Sequence, residues 1–420
     1  LTLTGRNDWA SQLANSSTPC FFYPSVGLSG VISEMLTLPE FIDYMKVRGS
    51  FSSVGMPYPR NLTSPTYEYD EANQQWKPKT HYPIKDLKPE RTNSWELGLD
   101  MRLFKDFSLG FSWYLANTFN QTFDPKVSVS SGYSKIYLQT GYVRNSGVEL
   151  SLGYGHTWNN HLHWESNFTL SHNKNTIKDL VTSYIHPETG LPITQNRLDV
   201  GGLGKARFIL KKGGTLGDLY TQSDLKRDNS GMVEIDPSGA LTTEDNLPDI
   251  KLGSVFPKAN LAWNNRFEWR GISLSALFTA RIGGIAYSAT QAAMDQYGVS
   301  ERSAQARDNG GVLLNGRTLV DAQTYYSLIG NSSGLPQYYT YSATNVRLQE
   351  ASVGYTIPRK WLGGVCDINV SVVGRNLWMI YCRAPFDPEA VVNTGNYYQG
   401  IDNFMLPSTR NIGVNVKINF

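Results

Sequence analysis

Hydrophobic and polar residues alternate strictly over the last nine residues of this chain, 412–420. Every even position from Ile412 to Phe420 is apolar, and the odd positions between them are Gly, Asn or Lys. Because successive side chains of a β-strand point to opposite faces, this segment predicts a strand with one apolar and one polar face. A last strand that ends on an aromatic residue and has one lipid-compatible face is typical of an outer-membrane β-barrel.

The same alternation predicts a series of hairpins. Apolar residues occupy the odd positions of 95–103 and of 107–115, with Lys105-Asp106 between them as a tight turn. Similar pairs of segments lie on either side of Asn159-Asn160 and of Arg270-Gly271, which are turn-forming sequences. A fourth pair, with a longer connection, flanks Ile357-Pro358.

The connections between these hairpins are long, whereas those inside them are short. The long ones are rich in Pro, Gly, Asn and Asp and cover 55–92, 117–144, 173–257, 283–343 and 380–408. Outer-membrane barrels have short periplasmic turns and long extracellular loops, so we predict an all-β antiparallel transmembrane barrel with these loops outside. A soluble β-sandwich also alternates, but strands of about ten to fourteen residues are long for that fold.

Composition fits this interpretation and excludes other classes of protein. Aromatic residues make up 12 % of the chain, as expected for the girdles at the two membrane interfaces. No run of about 18 apolar residues is present, so no transmembrane helix is predicted. The formal net charge is +2 without a dominant basic patch, so nucleic acid is not an expected partner. Cys20, Cys366 and Cys382 have no C-x-x-C spacing, which favours packing roles and leaves a Cys366–Cys382 bridge open.

Few residues suggest chemistry. His161, His163 and Glu165 are potential metal ligands, but regular spacing along a straight strand keeps such side chains apart, so we expect no metal. Asp387 and Glu389 are close in a loop, where solvation or an interaction is a better interpretation than acid–base catalysis. No catalytic or cofactor motif stands out, so we expect neither an enzyme nor a cofactor.

Tyrosines in the long loops are the candidate substrate-binding residues. Exposed aromatic rings stack on sugars and peptides, and the tyrosines concerned are Tyr325, Tyr326, Tyr338, Tyr339, Tyr397 and Tyr398. The alternative for each of them is loop packing or an interface girdle.

Short motifs follow one another along the whole chain in a characteristic order. They include Arg6-Asn7-Asp8-Trp9, Met45-Lys46-Val47-Arg48-Gly49-Ser50, Leu87-Lys88-Pro89-Glu90-Arg91-Thr92, Asn145-Ser146-Gly147-Val148-Glu149-Leu150, Arg281-Ile282-Gly283-Gly284, Gly374-Arg375-Asn376-Leu377, Asp387-Pro388-Glu389 and Gly400-Ile401-Asp402. No single motif is specific. As an ordered set ending on Phe420, they resemble the barrel of SusC/RagA-type TonB-dependent transporters of Bacteroidota.

The resemblance implies a barrel of about 22 strands in the outer membrane, filled by an N-terminal plug. It also implies a SusD-like surface lipoprotein as a lid, TonB as the energy-coupling partner, and oligosaccharides or oligopeptides as ligands. Phe420 resembles the terminal aromatic signal that the barrel-assembly machinery reads.

The chain departs from the family pattern because it shows no signal peptide, plug or TonB box. We therefore expect residues 1–420 to be the C-terminal barrel part, about twelve to fourteen strands, of a transporter whose N-terminal segment is missing. Strands of that segment would pair with the first strand, since an open edge in lipid leaves backbone groups unsatisfied. The alternatives are a self-contained passive porin and, in other classes, an outer-membrane enzyme or a surface β-rich binding protein.

Overall fold

A computed structural model describes residues 1–13, 16, 19–58, 62, 67–78, 81–82, 88–123, 135–185, 192–393, 395 and 398–419. Twelve long strands form its large antiparallel sheet. In chain order they are β1 (Thr2–Trp9), β2 (Cys20–Val31), β3 (Ile42–Met56), β4 (Glu90–Leu103), β5 (Phe107–Phe123), β6 (Leu138–Thr157), β7 (Leu162–Asp179), β8 (Ala259–Trp269), β9 (Ile272–Ile282), β10 (Asn345–Ile357), β11 (Asp367–Cys382) and β12 (Asn411–Asn419).

The α-helices are α1 (Ile32–Met35), α2 (Ala289–Gln296), α3 (Glu301–Asp308) and α4 (Ala322–Gly330). The longest helices have eight or nine residues, and none in the described part of the chain could span a bilayer. Short 3₁₀ helices are Ser11–Leu13, Asn331–Ser333, Pro336–Tyr338 and Arg359–Leu362.

The chain divides into two compact units. The first contains Leu1–Val200, Leu210–Thr215 and Trp263–Arg270, and the second contains the remaining residues. In the first unit, consecutive long strands from β1 to β7 pair antiparallel with one another. In the second unit, β9 to β12 do the same.

The predicted tight turns are present. Residues Phe104–Asp106 connect β4 to β5, and Asn159-Asn160 lie in the turn between β6 and β7. Arg270 and Gly271 between β8 and β9 both have positive φ, of 48° and 90°, which two-residue hairpin turns of type I′ require. The longer connection after Pro358 contains the 3₁₀ helix Arg359–Leu362.

The other connections are long and contain their own short strands. These are Tyr67–Asp70, Gln75–Pro78, His81–Tyr82, Lys135–Ile136, Val181–Ile185, Pro192–Gln195, Arg197–Leu203, Ala206–Lys211, Asp218–Thr221, Asp224–Leu225, Thr243–Glu244, Ile250–Ser254, Ile285–Ser288, Val312–Leu314, Thr318–Val320, Thr340–Ser342 and Ile401–Asp402. The loop predicted at 117–144 is shorter in the structure, because strand β5 extends to Phe123 and strand β6 begins at Leu138.

Apolar side chains are exposed on the long strands and buried in the loops. Trp95 in the first unit is 53 % exposed, and Val353 and Ile412 in the second are 58 % and 72 % exposed. By contrast, the loop residues Tyr287, Phe208 and Ile329 of the second unit are at most 1 % exposed. A soluble β-sandwich would show the opposite distribution, because its strands bury their apolar face in a dry core.

The cysteines do not form the bridge that the sequence left open. All three are free thiols; Cys366 directly precedes β11, a strand of 16 residues, and Cys382 is its last residue. At about 3.3 Å per residue, roughly 50 Å of extended chain separates them.

The middle of the apolar face gives a first test. Leu150 on β6 lies opposite Phe111 on β5 and Leu170 on β7. We expect Leu150→Arg to destabilise the protein in lipid vesicles by about 2–4 kcal/mol, because an arginine at mid-depth must face hydrocarbon. Urea unfolding followed by tryptophan fluorescence measures this. Glu149→Arg on the opposite face is the matched control, and equal losses for both variants would contradict the assignment of faces.

Candidate functional site

The polar face of the first unit carries a charged cluster centred on Arg48 of β3. Its guanidinium donates to Asp100 Oδ2 at 2.8 Å and to Ser112 Oγ at 2.6 Å, and Glu96 Oε1 lies 3.5 Å away. The Arg48 side chain crosses directly over Gly98, where an added Cβ would lie 2.5 Å from the guanidinium carbon. The cluster therefore joins β3, β4 and β5 on one face and depends on a glycine.

This close approach gives a second test. Gly98→Val will displace Arg48 from Asp100 and Ser112, and we expect a loss of about 1–3 kcal/mol of unfolding free energy, as for other overpacked sites. Gly155→Val is the control, because a Cβ at Gly155 would meet nothing within 4 Å. Urea unfolding of both variants measures the two losses. An equal loss of unfolding free energy in Gly155→Val would show that the clash with Arg48 is unimportant.

Uncharged polar side chains continue along the same face towards the long loops. The Tyr114 hydroxyl donates to Asn173 Oδ1 at 3.2 Å, and Asn145 Oδ1 accepts from Asn173 at 3.5 Å and from Asn175 at 2.9 Å. Amide and phenol groups of this kind can exchange hydrogen bonds with sugar hydroxyls or with peptide groups. The polar face can thus exchange hydrogen bonds with water and with polar solutes.

In the second unit, the loop between β9 and β10 folds around three capped helices. Ser288, Ser300 and Asp321 are the N-caps of α2, α3 and α4, and each side chain accepts from the backbone N–H three residues later. Such caps satisfy donors that a helix start leaves unpaired. Serine and aspartate at these positions are the local reason why the helices begin where they do.

A buried carboxylate holds these helices together. The Asp295 side chain is fully buried, accepts from the Tyr339 hydroxyl at 3.0 Å and from Ser300 Oγ, and forms an ion pair with Arg302. The Arg302 guanidinium also lies over the Tyr339 ring, 4.7 Å from its centre, and over the Tyr326 ring at 5.7 Å. Burial, reinforced by the Asp295 charge, raises the pKa of Tyr339, so its hydroxyl stays protonated and donating at neutral pH.

A second, more exposed cluster surrounds Asp224. Its carboxylate accepts from Gln337 Nε2 at 2.6 Å and from the Tyr338 hydroxyl at 3.2 Å, and Arg227 Nε lies 3.1 Å from its other oxygen. Burial, followed by the Asp224 charge, raises the pKa of Tyr338. Tyr338 is therefore a neutral donor whose ring remains partly exposed.

The structure places the candidate tyrosines in different environments. Tyr325 and Tyr339 are 9 % and 0 % exposed, so these two rings pack inside the loop, which is the alternative that the sequence left open. Tyr326 and Tyr338 are partly exposed, and Tyr398 makes an edge-on contact with Phe208 at 6.1 Å. Tyr397 and Phe420 lie outside the described residues. A substrate-binding role stays a prediction for all six tyrosines.

The loop after β11 is fixed to the sheet by a buried ion pair that sequence reasoning missed. Arg347 on β10 donates to both oxygens of Asp387, at 2.9 and 3.1 Å, and the two side chains are 5 % and 9 % exposed. Glu389 Oε2 lies 3.4 Å from the same guanidinium. Of the two interpretations that the sequence left for Asp387, solvation or an interaction, the structure shows an interaction, with a partner 40 residues away in the chain.

The pair also sets the charge state of Asp387. Burial alone would raise the pKa of this carboxyl, but hydrogen bonds from Arg347 and from the Glu389 N–H outweigh burial and lower it. Asp387 is thus ionised at every physiological pH.

Two of the three candidate metal ligands near the turn between β6 and β7, His163 and Glu165, have other partners. His163 Nδ1 lies 2.8 Å from Thr157 Oγ1, and Glu165 accepts from Asn167 at 2.8 Å. Across the described part of the chain, no three His, Cys, Asp or Glu side chains come together as metal ligands.

The long strands thus expose apolar side chains on one face and carry hydrogen-bonded polar side chains on the other. The wall of an outer-membrane barrel has this arrangement. The family model of the TonB dependent receptor-like β-barrel matches residues 1–377. The chain belongs to this family of outer-membrane receptors and transporters, and the prediction of a TonB-dependent barrel is confirmed.

Relatives and solved structures agree with this assignment. TonB-dependent receptors P3 and P39 of Formosa agariphila are 23 % and 21 % identical over 99 % and 95 % of this chain. The RagAB peptide importer in its open-open state is 18 % identical, covers 100 % of this chain and has a TM-score of 0.72, as it does in the closed-closed state. This likeness establishes the fold. The chain spans 44 % and 42 % of the two Formosa proteins and 45 % of the RagAB chain.

Proposed function

We propose that this chain forms part of the wall, lumen lining and external loops of a TonB-dependent importer of oligomeric nutrients, either oligosaccharides or oligopeptides. The observation that carries the proposal is the opposition of the two strand faces. Trp95 and its apolar neighbours are exposed on one face, while Arg48 and its partners form a polar surface on the other. A wall of this kind has lipid on one side and water on the other.

The proposal includes partners, and the open edge of β1 supports the first of them. Among the described residues, β1 pairs only with β2, so its other edge offers free backbone groups that lipid cannot satisfy. We propose that further strands and a plug complete the barrel, and that TonB acts through the plug. A SusD-like lipoprotein would cover the loop end as a lid, and Phe420 would serve the barrel-assembly machinery.

The loops would supply the ligand contacts. Tyr326 and Tyr338 are partly exposed and are held by Arg302 and Asp224, so their positions are fixed before a ligand arrives. Such pre-organisation lowers the entropic cost of binding. RagAB, a peptide importer of the same fold, supports import of an oligomer, and the polar face suits sugars and peptides alike.

Uptake by intact cells tests the proposal. Cells that contain the complete transporter would be given fluorescent oligosaccharides and oligopeptides of matched size, with and without a protonophore. We expect energy-dependent uptake of one class, lost on deletion of the gene and strongly reduced when TonB is removed. Uptake that persists without TonB or a proton gradient would favour the passive porin, and uptake unaffected by the deletion would contradict the proposal.

A further inference from the structure

The apolar face of β4 to β7 changes character abruptly at one end. Cross-strand pairing places its residues in rows, four residues to a row. From the short turns towards the long loops the rows are Leu103, Phe107, Tyr154 and Ser166; Met101, Leu109, Leu152 and Phe168; Leu99, Phe111, Leu150 and Leu170; Leu97, Trp113, Val148 and His172; Trp95, Leu115, Ser146 and Lys174; Asn93, Asn117, Arg144 and Thr176.

The rows define where the hydrocarbon ends. From the Leu103 row to the Trp95 row is eight residues on β4, or about 27 Å of strand, which at a tilt of about 40° spans roughly 21 Å of depth. This is close to the apolar band of about 25 Å expected of a barrel. Lys174, in the Trp95 row, and Arg144, in the next row, therefore lie at the level of lipid headgroups.

Neither cation has an acidic partner on this face. The outward positions of β4 to β7 in the described ranges 91–103, 107–123, 142–156 and 162–178 contain no Asp or Glu. The carboxylate that follows on β7, Asp179, is paired with Lys212 at 2.7 Å. On the polar face, by contrast, Arg48 is neutralised by Asp100. The outward face of these strands thus keeps uncompensated positive charge only at its long-loop end, on Arg144, Lys174 and, one row further, Arg91.

Neutral groups hold the Arg144 side chain in place. Its Nε donates to Asn117 Oδ1 at 2.8 Å, and its Nη2 donates to the Tyr142 hydroxyl at 2.7 Å, which itself donates to Asn117 at 2.9 Å. Lys174 is exposed and lies on the neighbouring strand, diagonal to Arg144, where Cα atoms are about 7–8 Å apart. Both cations can reach one phosphate group.

An apolar groove opens on the same face of this unit, over strands β2 to β5. It has a volume of about 450 Å³ and is lined by Leu28, Gly49, Phe51, Trp95, Leu97 and Trp113. Gly49 leaves the gap because it contributes no side chain between Leu28 and Leu97, which flank it on the adjacent strands. A groove of this shape can take an acyl chain, because its walls are hydrocarbon and aromatic.

We propose that Arg144 and Lys174 bind the phosphate of a phosphorylated glycolipid in the outer leaflet, such as lipid A, with its acyl chains along the apolar rows and in the Gly49 groove. The proposal rests on the proposed function for the orientation that places the long loops outside. Arginine recognises phosphate through paired N–H donors, and a headgroup-level site weakens competition from water. Asn93, Asn117 and Thr176 in the same row offer donors and acceptors for sugar hydroxyls.

Binding of lipid A by the purified intact transporter in detergent tests this. We expect monophosphorylated lipid A to bind, and the double variant R144Q/K174Q to bind it at least about tenfold more weakly, because two charge-assisted contacts are lost. Enzymatically dephosphorylated lipid A should lose as much affinity for the unchanged protein. The charge-matched control is K105Q/R270Q, two cations at the short-turn end of the same unit, and it should bind within about twofold.

Two results would overturn the proposal. One is unchanged lipid A binding by R144Q/K174Q, with its folding verified by heat-modifiable gel mobility. The other is equally tight binding of phosphatidylglycerol, which would show recognition of any anionic phospholipid. Both results come from lipid binding by the purified protein and do not depend on uptake. A failure of nutrient import in cells would therefore contradict only the proposed function and would not affect the lipid site.

Discussion

Asp387→Ala will loosen the loop after β11 and destabilise it by about 3–5 kcal/mol, the cost of leaving a buried arginine without its partner. Arg347 is 5 % exposed, and its other carboxylate contact, with Glu389, is longer and more exposed. Water cannot replace Asp387 there, so the guanidinium charge must either stay unpaired or pull the loop open. Hydrogen exchange of residues 386–393 in the intact transporter measures the loss.

A double variant separates the charge from the packing. R347M/D387L removes both charges and keeps apolar volume, so we expect it to recover most of the protection that Asp387→Ala loses. If residues 386–393 exchange as fast in the double variant as in Asp387→Ala, the ion pair is not what holds the loop.

Acid should open the same loop. The pKa of Asp387 is lower in the folded protein than in the unfolded chain, so its contribution is fully present above the unfolded value of about 3.9. The contribution is lost as the pH falls through the lower folded value. Exchange of 386–393 should therefore stay slow down to about pH 4 and rise below it, whereas Asp387→Ala should show no such step.

Asp295→Ala will unfold the helical loop of the second unit at a lower temperature, with a cost of about 3–5 kcal/mol. The substitution removes the acceptor of the Tyr339 and Ser300 hydroxyls and the counter-ion of Arg302 at once. Buried donors without acceptors are costly because folding has removed their water. Limited proteolysis between residues 289 and 330 reports the loss.

Asp321→Ala is the matched control for this variant. Asp321 is an exposed aspartate in the same loop that caps α4 through the Thr324 N–H at 2.8 Å. Loss of such a cap costs about 1 kcal/mol. Equal protease sensitivity of the two variants would show that Asp295 is no more than another surface aspartate.

The long strands could be predicted from the sequence because their signal is local. Alternation across 95–115 fixes both the faces and the turn at Lys105, and the register Trp95 to Leu115 follows from the turn. The loops could not be predicted in this way. Tyr339 belongs to a helical cluster whose members are brought together by packing, so the sequence could not decide between an exposed and a buried ring, and the ring is buried.

Pairs that are distant in sequence were missed for the same reason. Nothing near Asp387 indicates that Arg347 is its partner, since the two meet only when β10 and β11 are side by side. The cations Arg144 and Lys174 belong to no recognisable sequence motif. Their possible role becomes evident only when the strand register places them on the same face as the apolar residues.

The central claim is that the two faces of each long strand meet different solvents. Spin labels on single cysteines along β6, in the membrane-embedded protein with Cys20, Cys366 and Cys382 replaced by serine, measure this directly. Labels at Val148, Leu150 and Leu152 should collide with oxygen dissolved in lipid, and labels at Asn145, Glu149 and Ser151 with a water-soluble nickel complex. Collision profiles without a two-residue period, or with the faces reversed, would contradict a wall between lipid and water.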